Sequence, residues 1–190
     1  MRKRLVFEAS FDAAIRAPDP LAPLITEVCP GVFKFKALDA GSCRSLLEEI
    51  SKHPSEAPNS MNKYGQVLKD IGMGYLCQDL LDTVVNPLTR RFYPSIGKLK
   101  HTHGFVVNYD PKKQGSLDLH YDESDVTLNI CLGRKFTGGQ LVFRDDDGAQ
   151  MAPAIEHKVG TAVLHLGEHQ HQARKLKSGQ RSNLILWCRR

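Results

Sequence analysis

The sequence has no long apolar run, and this absence excludes membrane-spanning proteins of the helical kind. A transmembrane helix needs about 20 consecutive, mostly apolar residues, whereas charged residues interrupt every apolar stretch of this chain well before that length. The basic start, Met1 to Arg4, is followed by an apolar segment that Glu8 and Asp12 break, which does not match a secretory signal. We therefore expect no membrane association and a cytoplasmic or nuclear location.

Cysteine is scarce and irregularly spaced, which argues against a disulfide scaffold and against a zinc finger. The five cysteines are Cys29, Cys43, Cys77, Cys131 and Cys188. No pair has the CxxC spacing that zinc fingers use. An odd number of scattered thiols is typical of proteins that stay reduced inside cells.

Long blocks of one charge are also missing. The formal net charge of +5 permits an acidic partner without requiring one. The densest basic region, from Arg90 to His103, is typical of a solvated face, so nucleic acid is not an expected partner. The chain has neither repeats nor low-complexity tracts, and its 190 residues suffice to bury the core of one domain.

Helical patterns come first along the chain, after an Ala- and Pro-rich segment. We expect residues 1–30 to be irregular and residues 31–190 to form a single domain. Residues 32–35 alternate like a strand, and Asp39 is a suitable N-cap for a helix to about Lys52. A second helix is predicted over residues 78–92, with Pro87 as a kink or break.

From His101 onward the chain has the pattern of strands and turns. Helices followed by a strand-rich body predict a mainly β fold, a double-stranded β-helix (jelly roll) flanked by helices. Residues 126–132 predict a strand with two different faces. One face is apolar and suits packing against helices; it consists of Val126, Leu128, Ile130 and Leu132. The other face is small and partly polar and suits the lining of a barrel; it consists of Thr127, Asn129 and Cys131.

His120 and Asp122 precede this strand and are two positions apart. In an extended segment such residues point to the same face. One later histidine would complete a triad of two histidines and one carboxylate, which binds Fe(II) and leaves the opposite positions open. The His-x-Asp spacing alone is a weak signal, because any two polar residues on the solvent face of a strand produce it.

Four histidines are candidates for the third ligand: His157, His165, His169 and His171. His165 lies in a strand-like run, where a local hydrogen bond is the simpler interpretation. His169 and His171 have the same parity, so strand alternation does not separate them. Arg181 follows this region, and its planar guanidinium suits the far carboxylate of a dicarboxylic acid.

Several segments together resemble a known family. Residues 105–109, 114–117 and HYDESDVTLNICLG (120–133) resemble the catalytic domain of procollagen lysyl hydroxylases and their prolyl hydroxylase relatives. The resemblance is stronger to the 2-oxoglutarate and iron-dependent oxygenase domain-containing proteins, which residues 60–65 and 30–33 also match. It extends from about Pro30 to the end of the chain.

The resemblance implies a role for each residue that matches the family motif. The iron ligands are His120, Asp122 and His171, because the family spacing of ten positions to the basic residue selects His171 over His169. Arg181 then pairs with the C5 carboxylate of 2-oxoglutarate. The further cofactor contacts implied are Tyr109, Asn129 and Thr127. Fe(II) and 2-oxoglutarate are the expected cofactors, with ascorbate as an additional one.

The implied function is hydroxylation of a lysyl or prolyl side chain in a protein or peptide, with consumption of O2 and release of succinate and CO2. Two alternatives stay open. One is an N-methyl nucleic-acid demethylase on a related barrel, although the closing strand carries no second arginine between Arg181 and Arg189. The other is a non-catalytic jelly-roll module that binds a metal. By resemblance, residues 61–64 form a lid over the site.

Overall fold

The computed structural model describes residues 24–53 and 66–190, and more of these residues lie in β-strands than in helices. The strands are β1 (Ile25–Cys29), β2 (Val32–Lys36), β3 (Gln66–Val67), β4 (His101–Tyr109), β5 (Leu117–His120), β6 (Val126–Gly133), β7 (Phe136–Gly138), β8 (Leu141–Arg144), β9 (Thr161–Leu166), β10 (Gln170–Ala173), β11 (Leu176–Gly179) and β12 (Arg181–Arg189). The segment predicted to be irregular up to Pro30 therefore contains a strand, β1, which pairs with β2. Residues 1–23 and the lid residues 61–64 lie outside the described part.

Helix α1 (Ala40–Ser51) begins where the sequence predicted it. The Oδ1 atom of Asp39 accepts hydrogen bonds from the backbone N–H groups of Gly41 at 2.7 Å and Ser42 at 3.0 Å. These bonds satisfy two of the donors that a helix start leaves unpaired. Cys43, Leu46 and Ile50 are buried along one side of the helix, so capping and periodicity both act as predicted.

The second predicted helix is longer than its pattern indicated and is not broken by its proline. It consists of α2 (Gly74–Leu80), a π-helical stretch (Leu81–Val85) and α3 (Asn86–Phe92). Pro87 has no N–H, so the carbonyl of Thr83 loses its usual helical partner. Just before the proline, the Asn86 N–H donates to the carbonyl of Leu81, five residues back. The chain thus accommodates Pro87 by a local change of helix type.

The strands form two facing layers, and all the strand pairs are antiparallel. A seven-stranded sheet has the order β1-β2-β9-β6-β12-β4-β3, and the smaller sheets have the orders β5-β10-β8 and β11-β7. Many neighbours in these sheets are distant along the chain, as in a jelly roll. The structure confirms the predicted double-stranded β-helix with flanking helices.

The large sheet has a different hydrophobic core on each face. On one face, the apolar residues of β6 pack in the same cluster as the helices, together with Leu80 and Leu88. On the other face, Phe105 and Ile185 pack with Leu176 of β11, in the two-stranded sheet. The predicted two faces of residues 126–132 are therefore confirmed, and the small, polar face points into the space between the sheets.

The cysteines and the helices agree with the compositional expectations. All five cysteines are buried free thiols. Burial is the main cause that raises the pKa of Cys77 and of Cys131 to about 11. None of the helices in the described ranges is long and apolar enough to cross a membrane.

Two glycines with the same backbone conformation provide a test of this packing. Gly160 (φ +80°) lies so close to the segment before α1 that an added Cβ would be 2.0 Å from the carbonyl oxygen of Leu38, whereas Gly148 (φ +81°) has open space around it. We expect Gly148→Ala to lower the free energy of unfolding by about 1–2 kcal/mol, because alanine is disfavoured in the left-handed conformation. Gly160→Ala should cost about 1–3 kcal/mol more, because of overpacking. Urea unfolding of both variants measures the difference, and equal losses would contradict the close approach.

Candidate functional site

Antiparallel pairing of β5 with β10 brings two of the predicted ligands together. His171 of β10 lies directly opposite His120, the last residue of β5, and their ring centroids are 4.3 Å apart. Asp122 follows two positions after His120. Residues that are far apart in sequence thus meet because of strand register alone.

The three ligand atoms surround a common point. The Oδ1 atom of Asp122 is 3.5 Å from Nε2 of His120 and 3.7 Å from Nε2 of His171. All three ligand atoms lie within 4.8 Å of one another. The side chains of Asp122 and His171 are buried, and that of His120 is partly exposed. The site is therefore closed on the protein side and reachable from the side of His120.

Backbone carbonyls fix the tautomers of both histidines. Nδ1 of His120 is 2.7 Å from the carbonyl oxygen of Asp118, and Nδ1 of His171 is 2.9 Å from that of His169. A carbonyl oxygen only accepts, so each Nδ1 carries the proton and each Nε2 presents its lone pair. This is the arrangement in which an imidazole binds a metal.

The surroundings shift the pKa of each triad residue. For His120 burial lowers the pKa, but the contacts with Asp122 and with the Asp118 carbonyl outweigh burial and raise it. Burial is the main cause that lowers the pKa of His171 and favours the neutral ring. For Asp122 burial opposes the charge, but the surrounding polar groups, which include the Thr127 hydroxyl, hold its pKa well below the usual range. The residue types, two imidazoles and one carboxylate, match the ligand preference of Fe(II).

The other three candidate histidines do not contribute a ligand atom to the triad. His169 precedes β10, and its backbone carbonyl holds His171. His165 of β9 is fully buried, with Nδ1 2.8 Å from the Leu166 carbonyl oxygen and Nε2 3.8 Å from Oδ2 of Asp122. His157 is buried, and burial, reinforced by the positive charges of Arg181 and Lys34, lowers its pKa well below the usual value. The structure therefore places His171, not His169, in the triad.

A cavity lies between the sheets and is lined by the triad. Its wall includes three predicted contact residues, Tyr109, Thr127 and Asn129. Thr127 donates a hydrogen bond to Asp122, and Asn129 accepts one from the side chain of Asn183 at 2.7 Å. Much of the remaining wall is apolar, so a ligand in this cavity is largely removed from water.

Arg181 is buried with two nitrogens unpaired. It starts β12 and is only 1 % exposed. One terminal nitrogen donates to the carbonyl of Gly139, and the guanidinium carbon lies 4.2 Å from the ring centroid of Tyr109. Nε and the other terminal nitrogen are buried without a hydrogen-bond partner. Such donors are costly to bury, so they indicate an anionic ligand at this position.

Two further polar residues of β12 were not predicted from the sequence. The Nε1 atom of Trp187 and the Oδ1 atom of Asn183 are also buried without partners. Arg181, Asn183 and Trp187 occupy alternate positions of one strand, and alternate residues share a face. Strand alternation counted from Arg181 would have identified both residues.

Comparisons with known proteins agree with this geometry. A protein-family model described as an OGFOD2-like domain matches residues 1–98. The chain is 38 % identical over 186 residues to the 2-oxoglutarate and iron-dependent oxygenase domain-containing protein CP2 of Arabidopsis thaliana, an alignment that covers 87 % of this chain and 47 % of that protein. It is 30 % identical over 180 residues to the multifunctional procollagen lysine hydroxylase and glycosyltransferase LH3 of Rattus norvegicus, covering 85 % and 24 %. The chain spans about half the length of the first of these relatives.

Among solved structures, the chain is similar to a Pseudomonas putida prolyl-4-hydroxylase. The TM-score is 0.61 with 19 % identity, and the superposition covers 84 % of this chain and 93 % of the other. At this identity the likeness concerns the fold. It agrees with the jelly roll found in the two facing sheets.

The triad geometry predicts which histidine binds a metal. Saturating Mn(II), at about 100 times its dissociation constant, should stabilise the metal-free protein by about 2.7 kcal/mol. Asp122→Ala and His171→Ala should lose this stabilisation because each removes a ligand atom. His169→Ala, the matched control, should keep it, since only the backbone of His169 contacts the triad. Thermal unfolding with and without Mn(II) measures the effect; the reverse behaviour of the two histidine variants would refute the assignment.

Proposed function

Since this chain belongs to the OGFOD2-like domain family, we propose that it is an Fe(II)- and 2-oxoglutarate-dependent oxygenase that hydroxylates a side chain of a polypeptide. This proposal rests on two sets of polar side chains in the same barrel, each of which lacks a ligand. One is the triad of His120, Asp122 and His171, and the other is the buried Arg181 with two unpaired N–H groups. A metal and a dicarboxylate would complete them both.

The triad residues hold the iron in this proposal. Nε2 of His120, Nε2 of His171 and Oδ1 of Asp122 are the donor atoms, because these three converge. The carbonyls of Asp118 and His169 keep the two rings oriented. One carboxylate balances part of the metal charge and leaves positions for other ligands.

Arg181 holds the distal carboxylate of 2-oxoglutarate. Nε and the unpaired terminal nitrogen present two adjacent N–H donors, which match the two oxygens of a carboxylate. Tyr109 stacks on the guanidinium and lines the triad cavity, so its ring keeps the arginine fork in place. The hydrogen bond from the other terminal nitrogen to the Gly139 carbonyl also fixes the orientation of the guanidinium.

When bound, iron and 2-oxoglutarate supply the activation of O2, with one oxygen atom passing to a substrate C–H bond and the other to the succinate that forms with CO2. The protein contributes position and a dry environment. Phe105, Val107 and Ile185 form an apolar wall of the cavity. This wall limits the entry of water and therefore protects the reacting groups from side reactions.

The substrate we propose is a lysyl or prolyl side chain within a protein or peptide. Two similarities support this class: one relative is named a procollagen lysine hydroxylase, and one structural neighbour is a prolyl-4-hydroxylase.

Removal of the Arg181 charge should weaken binding of 2-oxoglutarate. With Fe(II) bound and O2 excluded, addition of 2-oxoglutarate should produce the weak visible absorption band of the chelate. Arg181→Gln should raise the concentration needed by about 10- to 100-fold, since a hydrogen bond to a charged group contributes about 1.5–3 kcal/mol. The exposed neighbour variant Arg174→Gln should leave the titration unchanged.

The same titration separates the proposed function from its main alternative. If the wild-type protein binds iron and shows no band with 2-oxoglutarate, the oxygenase proposal fails and a metal-binding module becomes the better account. If Arg181→Gln does not fold, Arg181→Lys provides the second test, because it keeps the charge and loses the fork. An unchanged affinity in a folded arginine variant would remove Arg181 from the binding site.

Incubation with peptides tests the substrate class. We expect a peptide that contains lysine or proline to gain the mass of one oxygen atom when Fe(II), 2-oxoglutarate, ascorbate and O2 are present, with one succinate formed per hydroxylation. Asp122→Ala should abolish both products. Succinate formation with N-methylated nucleic acid, and not with peptides, would contradict the polypeptide substrate.

A further inference from the structure

The two carboxylate oxygens of Asp122 have different surroundings. Oδ1 faces the two histidine nitrogens, at 3.5 and 3.7 Å. Oδ2 points away from them and accepts a hydrogen bond of 2.6 Å from Oγ1 of Thr127. The carboxylate is thus held by one oxygen while the other is presented to the candidate metal position.

We propose that Thr127 is a positioning residue that keeps Asp122 bound to the metal through Oδ1 alone. This inference rests on the proposed function, in which Asp122 is an iron ligand. By holding Oδ2, Thr127 prevents the carboxylate from turning to bind through both oxygens. A metal held by these three protein atoms would keep positions open for a chelating co-substrate.

The hydroxyl of Thr127 is itself fixed. Thr127 is 1 % exposed and lies on β6, on the face that lines the cavity. Its Oγ1 is 2.8 Å from Oγ of Ser124. Because Thr127 donates its proton to the carboxylate, Ser124 donates to Thr127 in this pair. The resulting chain, from Ser124 to Thr127 to Asp122, gives the carboxylate one preferred orientation.

The backbone beneath Asp122 is held as well. The Asp122 N–H donates to the carbonyl of Gly167 at 3.0 Å, and the Ser124 N–H donates to the carbonyl of Asp122 at 2.8 Å. A Cβ added to Gly167 would lie 2.0 Å from the carbonyl oxygen of Ser124. Gly167 therefore allows the turn to pack tightly, so the side-chain torsion is the freedom that Thr127 removes.

The nearest other side chain does not replace Thr127. Nε2 of His165 lies 3.8 Å from Oδ2. The Nδ1 atom of His165 bonds the carbonyl oxygen of Leu166 and so carries the ring proton. The neutral ring then has only a lone pair at Nε2 and donates nothing to the carboxylate. Loss of the Thr127 hydroxyl consequently leaves Oδ2 without a side-chain donor from His165.

Isosteric variants test this role. Thr127→Val keeps the shape and removes the donor, Thr127→Ser keeps the donor, and Thr89→Val is the control. Thr89 is as buried as Thr127, but its hydroxyl has no partner and lies in α3. Calorimetric titration of each metal-free protein with Co(II) gives the affinity. The visible spectrum of the Co(II) form reports the coordination number.

We expect Thr127→Val to weaken Co(II) binding by about 10- to 100-fold, the usual effect of losing a partner of a metal ligand, and to change the Co(II) spectrum. Thr127→Ser and Thr89→Val should behave like the wild type in both measurements. Metal-free Thr127→Val should be less stable than Thr89→Val, because only Thr127 donates to a buried carboxylate; the Co(II) spectrum therefore separates positioning from general stability.

Unchanged affinity and spectrum in Thr127→Val would overturn the proposal, as would equal losses in Thr127→Ser. If Thr127→Val does not fold, Thr127→Ala takes its place: it removes the same hydroxyl donor, and a wild-type spectrum and affinity there would count equally against the role. Failure of the wild-type protein to bind Co(II) is a distinct result, because it would refute the proposed function as well.

Discussion

The antiparallel register between β5 and β10 is the constraint on which the whole site depends. It places His171 opposite His120, and side chains alternate along each strand. A shift of one residue would turn His171 out of the cavity and bring Gln170 or Gln172 into its place. The register is in turn fixed from the other edge, since β10 also pairs with β8 and sets His171 opposite Phe143. The three-stranded sheet β5-β10-β8 therefore positions the two histidines of the triad, and the large sheet supplies the remaining polar groups.

The barrel interior combines apolar packing with a row of polar atoms that lack partners. Arg181, Asn183 and Trp187 carry such atoms along β12, and each unpaired buried group opposes folding. The two cores on either side of the large sheet offset this cost. These unpaired polar groups share one face of one strand. They are therefore already in place to bind a polar ligand, and binding needs less reorganisation of the protein.

The sequence predicted those elements that depend only on residues close to one another along the chain. The cap at Asp39 and the two faces of β6 follow from neighbouring residues, and both are present. The choice between His169 and His171 could not be made from the residues alone, because both have the same parity and only long-range pairing distinguishes them. Family spacing made that choice. The strand β1 and the π-helical stretch before Pro87 were missed, since the first depends on pairing with β2 and the second on how the helix adapts to proline.

The connectivity of the three-stranded sheet also has a kinetic meaning. His120 and His171 belong to strands separated by four further strands, β6 to β9, so their pairing closes a long stretch of chain at a cost in chain entropy. A metal bound between them would exist only in the closed barrel. It would therefore stabilise the closed barrel and slow its opening.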